Sequence, residues 1–438
     1  MKKNHFVINL FSLLSKEKIE YCVLRNYQSL PQHTGGSDID LWISTKDTPR
    51  FYTILGKVKN ETSSHLVSFL SDEHCPKVCF LNEEEGCQID IFQGAIYYQN
   101  NTMIPEESIK QNLTLYNGMV VLDDCFAHII AFLKEIINNG RCDSKYIRPI
   151  YQNKNVYQKE YLQAKFPLFA PLFIDKLCDT IQKEDIPRQV SVLTKLAKQS
   201  IVKKRVGYNR VRKMKRLFKS PGYVITVLGT DGSGKSTIIN AISPILNEAF
   251  HKGIIYNHLR PNVFPELSVL LGKKKKSEGP IVVTNPHAQK PSGIVGSLFR
   301  WGYYLLDYTL GYIKSVSPLI HTKSKVFIFD RYYYDYYIDQ RRSRTSLPHW
   351  ILRLGELLVP APDLIICLGG NPQKIYDRKP ETSLEEVIRQ TNALQNFCKN
   401  RKQAVWIDTT TTPEESIHAA MTAIVKMMEQ RFVKTKLK

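Results

Sequence analysis

The segment that decides the fold of this chain is Gly229-Thr230-Asp231-Gly232-Ser233-Gly234-Lys235-Ser236-Thr237. It fits the pattern G-x-x-x-x-G-K-[ST], in which glycines let the backbone wrap closely around a phosphate group. The apolar, β-branched run 223–228 before it is typical of a buried parallel strand, and 237–242 after it of a helix start. Strand, glycine loop and helix in this order predict a phosphate-binding loop, because the first N–H groups of the helix point at the anion.

Two side chains of this loop carry the predicted chemistry. We expect Lys235 to reach the β- and γ-phosphates of a nucleotide and the Ser236 hydroxyl to bind Mg²⁺. Asp231 is predicted to lie on the acceptor side, where it can accept a hydrogen bond from a sugar hydroxyl. The remaining residues of the nucleotide site are predicted to be Gly229, Thr230, Gly232, Ser233, Gly234 and Thr237.

A second strand further along the chain ends in an acid. The run 326–329 is apolar and is followed by Asp330-Arg331-Tyr332. In a parallel sheet the carboxyl end of such a strand lies beside the phosphate loop. Asp330 can therefore hold Mg²⁺ directly or through water, and Arg331 can offer a bidentate fork to an acceptor phosphate.

A third strand, 362–368, is followed by the basic pair Arg378-Lys379. A short basic helix after a strand suits a lid over the transferring phosphoryl group, because its cations offset the charge on the equatorial oxygens. We predict a catalytic role for Arg378 and a supporting one for Lys379.

These motifs, in this order, carry a resemblance. From Tyr223 to about Phe432 the sequence resembles the thymidylate kinase family of nucleoside monophosphate kinases, through the loop 229–237 with its Asp231, Asp330-Arg331-Tyr332 and the segment 362–379. The resemblance implies ATP as phosphoryl donor, with Mg²⁺.

The acceptor loop departs from that family. The family carries Arg-x-Pro-Gly-Gly-Thr, whereas residues 258–265 read His-Leu-Arg-Pro-Asn-Val-Phe-Pro, which keeps Arg260 and Pro261 but not the double glycine. A close backbone approach to a thymine nucleotide is therefore not supported. The predicted acceptor is dTMP or another phosphorylated or sugar-containing molecule. The basic cluster 341–344 favours recognition of a phosphorylated acceptor, with a solvated turn as the alternative.

The N-terminal part carries a separate motif, Gly35-Gly36-Ser37-Asp38-Ile39-Asp40. Asp38 and Asp40 on a strand would share one face, and Asp90 on a neighbouring strand would add a third carboxylate. Such a set can hold two divalent metals for displacement at phosphorus. Residues 20–100 thus resemble the nucleotidyltransferase fold of the DNA polymerase β type, although residues 24–26 replace its Gly-Ser turn. Two roles of this domain stay open: it catalyses nucleotidyl transfer, or it keeps the fold only to bind a substrate or partner.

The predicted fold class is α/β, with four segments. Residues 1–122 form a small α+β nucleotidyltransferase-like domain, 123–200 a helical extension, 201–222 a basic linker, and 223–438 a P-loop parallel sheet flanked by helices. The predicted strands are 21–25, 38–43, 78–81, 88–92, 224–228, 253–259, 326–329, 364–368 and 404–407. The predicted helices of the last segment are 297–312, 348–358, 383–397 and 413–433.

The formal net charge of +20 is concentrated in places. Residues 195–219 contain eleven Lys or Arg and no acid, and 273–276 are four lysines. Two interpretations stay open: solvated segments, or attachment to an anionic membrane surface. Nucleic acid is not an expected partner, because no recognition motif for it occurs. No apolar run is long enough to cross a bilayer. The nine cysteines show no repeated pair spacing, which favours free thiols in a reducing cytoplasm. We therefore predict a cytoplasmic protein, and attachment through the basic segments would place it at the inner face of the membrane.

Three functions follow from these motifs. The favoured one is an ATP-dependent kinase with an appended nucleotidyltransferase-like domain, a combination that resembles accessory enzymes of bacterial surface-polysaccharide synthesis. The alternative is a metal-dependent nucleotidyltransferase acting through the N-terminal Asp-x-Asp, with the P-loop half regulatory. The third is a nucleotide-dependent switch without catalysis. The presence of Lys235, Ser236, Asp330 and Arg331 favours the first.

Overall fold

The computed structural model describes residues 3–70, 74–202, 216, 219–270 and 292–435. Its strands are β1 (Tyr21–Val23), β2 (Ile39–Ile43), β3 (His65–Leu70), β4 (Lys77–Leu81), β5 (Gly86–Gln93), β6 (Ile96–Tyr98), β7 (Asn101–Ile104), β8 (Leu113–Tyr116), β9 (Met119–Leu122), β10 (Tyr223–Gly229), β11 (Ile254–His258), β12 (Val326–Asp330), β13 (Leu364–Gly369) and β14 (Ala404–Asp408).

The helices before β10 are α1 (His5–Lys16), α2 (Thr48–Glu61), α3 (Glu106–Lys110), α4 (Asp124–Asn139), α5 (Ser144–Gln152), α6 (Lys159–Lys165), α7 (Pro171–Gln182) and α8 (Ile186–Ile201). Those after β10 are α9 (Lys235–Ala249), α10 (Leu267–Leu270), α11 (Ile294–Leu306), α12 (Tyr312–Ser315), α13 (Ser317–Thr322), α14 (Asp335–Ile338), α15 (His349–Glu356), α16 (Pro372–Arg378), α17 (Leu384–Lys399) and α18 (Pro413–Phe432), with a π-helical turn at Asp307–Gly311.

The C-terminal sheet has the order β11-β12-β10-β13-β14, and all of its pairs are parallel. Every residue of β10 is buried, which explains its continuous apolar sequence. The central position of β10 puts the glycine loop between the carboxyl ends of β12 and β13. The predicted parallel α/β architecture of this half is therefore confirmed, and its five predicted strands are all present with ends shifted by at most one residue.

The predicted helix 297–312 differs most from the structure. Its helix begins earlier, at Ile294, and passes through the π-helical turn before α12. The cause is the buried Asp307, whose carboxylate accepts hydrogen bonds from the backbone N–H groups of Asn262, Val263 and Phe264. The π-turn holds this carboxylate toward the loop after β11, an interaction between distant segments that helical periodicity does not report.

The N-terminal sheet is mixed, with the order β3-β4-β5-β2-β1-β9-β8. β2 and β5 are parallel, and Asp40 lies directly opposite Asp90. The predicted strands are present, but β3 and β6 to β9 were not predicted, because they are short or lack clean alternation. Helices α4 to α8 follow, in agreement with the helical character expected after residue 123. Assignment of this part to the nucleotidyltransferase fold stays a prediction.

The two halves share one apolar core. Helix α9 packs against β5, and α18 packs against β3, so that both helices lie between the two sheets. The approach is close: a Cβ on Gly86 would lie 2.7 Å from the backbone nitrogen of Ala249, and the Gly86 N–H donates to Glu248 at 3.1 Å. The helix that begins at Lys235 therefore ends against the strand that carries Asp90. Most of the predicted basic linker lies outside the described residues.

Candidate active site

The glycine loop turns between β10 and α9 through two left-handed positions. Gly232 has φ +81° and Gly234 has φ +84°, conformations that a side chain makes costly. A Cβ on Gly232 would also lie 2.7 Å from the carbonyl oxygen of Ile375 on α16. The loop is thus both turned and covered at positions that only glycine fits.

Lys235 lies over this loop. Its Nζ donates to the carbonyl oxygens of Gly229 at 3.0 Å and Thr230 at 2.8 Å. Burial, reinforced by the positive charge of Arg331, lowers the pKa of Lys235 to about 7. A phosphate group at the loop would reverse this shift, because an anion favours the charged ammonium.

Several buried polar atoms around the loop have no hydrogen-bond partner among the described residues. They are Thr230 Oγ1, Ser233 Oγ, Asp330 Oδ1 and Arg331 Nε. Buried polar atoms without partners are uncommon and costly. Phosphate oxygens would satisfy the hydroxyls and the guanidinium, and a divalent cation would satisfy the carboxylate, so this set fits a magnesium nucleotide. Ser236 and Thr237 are exposed at the start of α9.

Asp330 ends β12, in register with Val227 of β10 on one side and His258 of β11 on the other. Its Oδ2 accepts a hydrogen bond from the Tyr256 hydroxyl at 3.2 Å and lies 3.6 Å from His258 Nδ1. Burial acts to raise its pKa, but the neighbouring His258 and Lys235 outweigh burial and lower it to about 2. Asp330 is therefore ionised at neutral pH, as a cation ligand must be. Sequence reasoning missed Tyr256 and His258, although the carboxyl end of a neighbouring predicted strand was the signal for them.

Arg331 is held in a strained backbone conformation, with φ +69°. Its guanidinium donates to Asp231 Oδ1 at 2.7 Å and lies 3.9 Å from Asp335 Oδ1. Arg342 pairs with the other oxygen of Asp231 and lies 3.5 Å from Asp339. Burial would raise the pKa of Asp231, but the charges of Arg331 and Lys235 hold it well below its usual range.

The structure therefore places the loop aspartate at the centre of a charge network. Sequence reasoning missed Asp335 and Asp339 in this network, and the only signal for them was their position just after Asp330-Arg331. Of the basic cluster 341–344, Arg342 faces the site, whereas Arg341 is exposed.

Arg260 of the acceptor loop is not directed to solvent. Its guanidinium donates to Asp307 Oδ2 at 2.6 Å and to the Phe264 carbonyl at 2.8 Å, and it lies 4.7 Å from the Tyr304 ring centroid. Both partners of the ion pair are buried. Arg260 thus anchors its own loop.

The predicted lid lies against the glycine loop. Arg378 ends α16 and is exposed, and Lys379 follows it and pairs with Glu381 at 2.9 Å. A Cβ on Gly232 would lie 3.2 Å from the Cβ of Lys379. The basic end of α16 is therefore positioned above the loop, as the sequence order suggested.

The three N-terminal carboxylates also come together. Asp38, Asp40 and Asp90 each offer an oxygen, and these oxygens lie within 4.8 Å of one another. Such a group suits a hard divalent cation. Each of the three lies near a basic side chain of the chain itself: Asp40 pairs with Arg25, Asp90 pairs with Lys77, and Asp38 Oδ1 lies 4.0 Å from His251 Nε2.

These pairings affect the two buried acids differently. Burial would raise the pKa of Asp40, but Lys134 and Arg25 outweigh it and lower the pKa. The pKa of Asp90 is raised by burial, which Lys77 only partly offsets. A cavity of about 180 Å³ lies beside Asp40, with Arg25, Lys134 and Tyr146 in its lining.

No protein-family model and no curated protein matches the sequence. Among solved structures, the thymidylate kinase from Ehrlichia chaffeensis aligns with 48% of this chain and 100% of its own, at 18% identity and a TM-score of 0.32. A likeness at this score establishes neither a common fold nor a common activity. In the described residues no helix combines the length and apolarity required to span a bilayer.

Proposed function

We propose that the protein is an ATP- and Mg²⁺-dependent phosphotransferase whose C-terminal half moves the γ-phosphate of ATP to a phosphorylated or sugar-containing acceptor. One observation carries the proposal. A buried lysine and a carboxylate lie at the carboxyl edge of a parallel sheet, and buried polar atoms around them have no hydrogen-bond partner in the part of the chain that the structure describes. That combination supports a site built for phosphate and a cation.

On the donor side, the backbone N–H groups of the loop bind the phosphates and Lys235 turns from the loop carbonyls toward them. Ser236 and Asp330 would hold Mg²⁺, which supplies charge neutralisation on the phosphates when bound. Arg378 at the end of α16 and Lys379 just after it, above the loop, would add positive charge on the outer face of the transferring group.

On the acceptor side, Arg331 and Arg342 fix the carboxylate of Asp231 between them. Asp231 can then accept a hydrogen bond from an acceptor hydroxyl, and the guanidinium of Arg331 can orient an acceptor phosphate. Arg260 is buried in an ion pair with Asp307 and is therefore already occupied. This supports an acceptor that Arg260 does not bind. A role in bacterial surface-polysaccharide synthesis is the setting that the domain combination suggests.

Label transfer from ATP tests this function. ATP carrying tracer at the γ-phosphate is incubated with the protein, Mg²⁺ and acceptors that include dTMP, other nucleoside monophosphates, sugar phosphates and cell extract. We expect label in an acceptor with the natural protein and none with Lys235→Ala. Hydrolysis without any acceptor product would contradict phosphotransfer and favour a nucleotide-dependent switch.

A second candidate, a metal-dependent nucleotidyltransferase, is favoured by the approach of three carboxylates within 4.8 Å in the N-terminal sheet. ATP labelled at the α-phosphate separates the two. Transfer of α-label that disappears with Asp38→Ala and Asp40→Ala together would make the N-terminal site the catalyst. Transfer of γ-label that survives those substitutions would assign the chemistry to the P-loop half.

A further inference from the structure

His258 and Asp330 end neighbouring parallel strands at the edge of the sheet that carries the glycine loop. The two residues are in register, and Nδ1 of His258 lies 3.6 Å from Oδ2 of Asp330. Tyr256 lies two residues earlier, on the same side of β11, and its hydroxyl donates to that oxygen at 3.2 Å. An imidazole nitrogen, a carboxylate oxygen and a phenol oxygen therefore lie together beside the loop.

The spacing of His258 and Asp330 suits a shared cation. At 3.6 Å the two atoms are too far apart for a good hydrogen bond. Two ligand atoms that each lie ~2.1 Å from one metal ion are ~3.0 Å apart in octahedral geometry and ~3.4 Å apart in tetrahedral geometry. The imidazole is 58% exposed, so a small rotation of this ring can bring the pair into that range.

The carboxylate of Asp330 still has a free acceptor atom. The residue is only 8% exposed, and its Oδ1 has no hydrogen-bond partner among the described residues. Oδ2 is the oxygen next to Tyr256 and His258. A carboxylate can place its two oxygens on two metal ions, so a cation beside His258 leaves Oδ1 for Mg²⁺ at the glycine loop.

Two fixed cations, Lys235 and Arg331, also lie near Asp330. Both of them are close to other acids. Arg331 donates to Asp231 Oδ1 at 2.7 Å and lies 3.9 Å from Asp335 Oδ1. Lys235 Nζ lies 3.9 Å from the same oxygen of Asp231. Since these acids share the positive charge of Lys235 and Arg331, the carboxylate of Asp330 keeps negative charge for a further cation.

We propose that Asp330 and His258 are ligands of a divalent transition-metal ion on the acceptor side of the phosphotransfer site. The role of this ion rests on the proposed function, whereas its binding does not. Mg²⁺ binds through oxygen, and an imidazole nitrogen favours a first-row transition metal over Mg²⁺. The histidine thus sets which metal this position takes.

A cation at this place would bind the acceptor. His258 begins the acceptor loop 258–265, whose Arg260 is buried in the pair with Asp307. Two protein ligands leave coordination positions open, which a phosphate or hydroxyl oxygen of the acceptor can occupy. The metal would supply the positive charge that Arg260 does not offer.

Electron spin echo envelope modulation of bound Mn²⁺ tests the ligand directly. Mn²⁺ is added to the full chain without nucleotide, so that any nitrogen coupling must come from the protein. We expect a directly coordinated nitrogen in the natural protein and none in His258→Ala. Mn²⁺ binding should weaken at least roughly tenfold in that variant, because even residues that only support a metal ligand change metal affinity by about 10–100-fold.

A second variant separates the chemistry of the ligand from its position. His258→Asp offers an oxygen in place of the nitrogen, so it should bind Mn²⁺ without nitrogen coupling. Its ratio of Mn²⁺ to Mg²⁺ affinity, measured by competition, should be lower than that of the natural protein. The matched control is His418→Ala on α18, since His418 is also exposed, and it should keep both coupling and affinity. Thermal melts check that each variant is folded.

The N-terminal cluster needs its own control. His251 Nε2 lies 4.0 Å from Asp38 Oδ1, so a cation in that cluster could also have a nitrogen beside it. Asp38→Ala with Asp40→Ala removes that cluster and should leave the nitrogen coupling unchanged.

Three results would overturn the inference. They are Mn²⁺ that does not bind or binds through oxygen alone, nitrogen coupling that persists in His258→Ala, and coupling that disappears with Asp38→Ala and Asp40→Ala. γ-Label transfer with Mg²⁺, measured on the same preparations, reports the proposed function separately. Transfer without nitrogen-bound Mn²⁺ would overturn only this inference, whereas nitrogen-bound Mn²⁺ without transfer to any acceptor would contradict only phosphotransfer.

Discussion

The glycine-loop site and the N-terminal carboxylate cluster both bring acidic and basic side chains together. The two sites differ in how many of their buried polar atoms already have a partner. Around the loop, atoms of Thr230, Ser233 and Asp330 are buried without partners among the described residues. In the N-terminal cluster, Arg25 and Lys77 already pair with the two buried carboxylates. A buried polar atom without a partner has a free-energy cost that a ligand can remove, whereas an ion-paired carboxylate must first release its partner. The contrast favours the loop as the site of chemistry.

The largest expected effect is that of Lys235→Ala. Removing the cation that stabilises the developing charge should lower γ-phosphate transfer by about 10³-fold or more. The measurement is initial rate at saturating ATP, with unfolding in urea as the check on the fold. The matched comparison is Asp38→Ala with Asp40→Ala, which we expect to leave γ-transfer within a few-fold. A folded, active Lys235→Ala protein would show that the loop does not bind the transferred phosphate.

A smaller loss is expected for Asp330→Asn, about 10²-fold in rate, because the amide keeps the shape but removes the charge that holds the cation. The variant should also need more Mg²⁺ for half-maximal rate. A Mg²⁺ titration of the rate checks this. An unchanged Mg²⁺ requirement would exclude Asp330 as a ligand.

Breaking an ion pair in the N-terminal cluster tests whether that pair keeps a cation from binding to the carboxylates. Lys77→Ala leaves the buried Asp90 without its partner, which should cost about 1–2 kcal/mol of unfolding free energy for a partly exposed lysine. The freed carboxylate should gain affinity for a divalent cation, so that Mn²⁺ restores part of the loss. Lys57→Ala, which removes an exposed pair with Glu17, is the control and should change stability little. Equal Mn²⁺ stabilisation of the natural protein would show that Lys77 does not compete with metal.

The smallest expected effect is the uptake of a proton by Lys235 when nucleotide binds. With a pKa of about 7, Lys235 is largely neutral in the free protein above that pH. Bound phosphate favours the ammonium, so nucleotide binding should take up as much as one proton, and affinity should fall as the pH rises above about 7. Calorimetry in two buffers of different ionisation enthalpy measures the uptake. Lys235→Met should abolish it, and uptake that persists in that variant would assign the proton to another group.

Local patterns were sufficient for much of the C-terminal half. The glycine spacing and the strand before the glycines predicted the loop. The apolar run that ends in Asp330 predicted that this aspartate lies beside the loop, because parallel strands present their carboxyl ends at one edge of the sheet. The partners of these residues were not predictable in this way. Arg342 reaches Asp231 across the charge network only through the turn after α14, and no local pattern records that contact. The short strands of the N-terminal sheet were not predicted for a related reason, because pairing with neighbouring strands, and not an alternating sequence pattern, stabilises them.

By itself, the sequence determined the glycine loop, the aspartate beside it and the clustering of acids in the N-terminal sheet. These features follow from spacing and periodicity, which act over a few residues. Only the tertiary structure decided which charges are already paired, that α9 ends against β5, and that His258 lies beside Asp330. Such facts depend on strand register and helix packing between distant segments, where the free energy comes from burial and charge pairing that no local stretch contains.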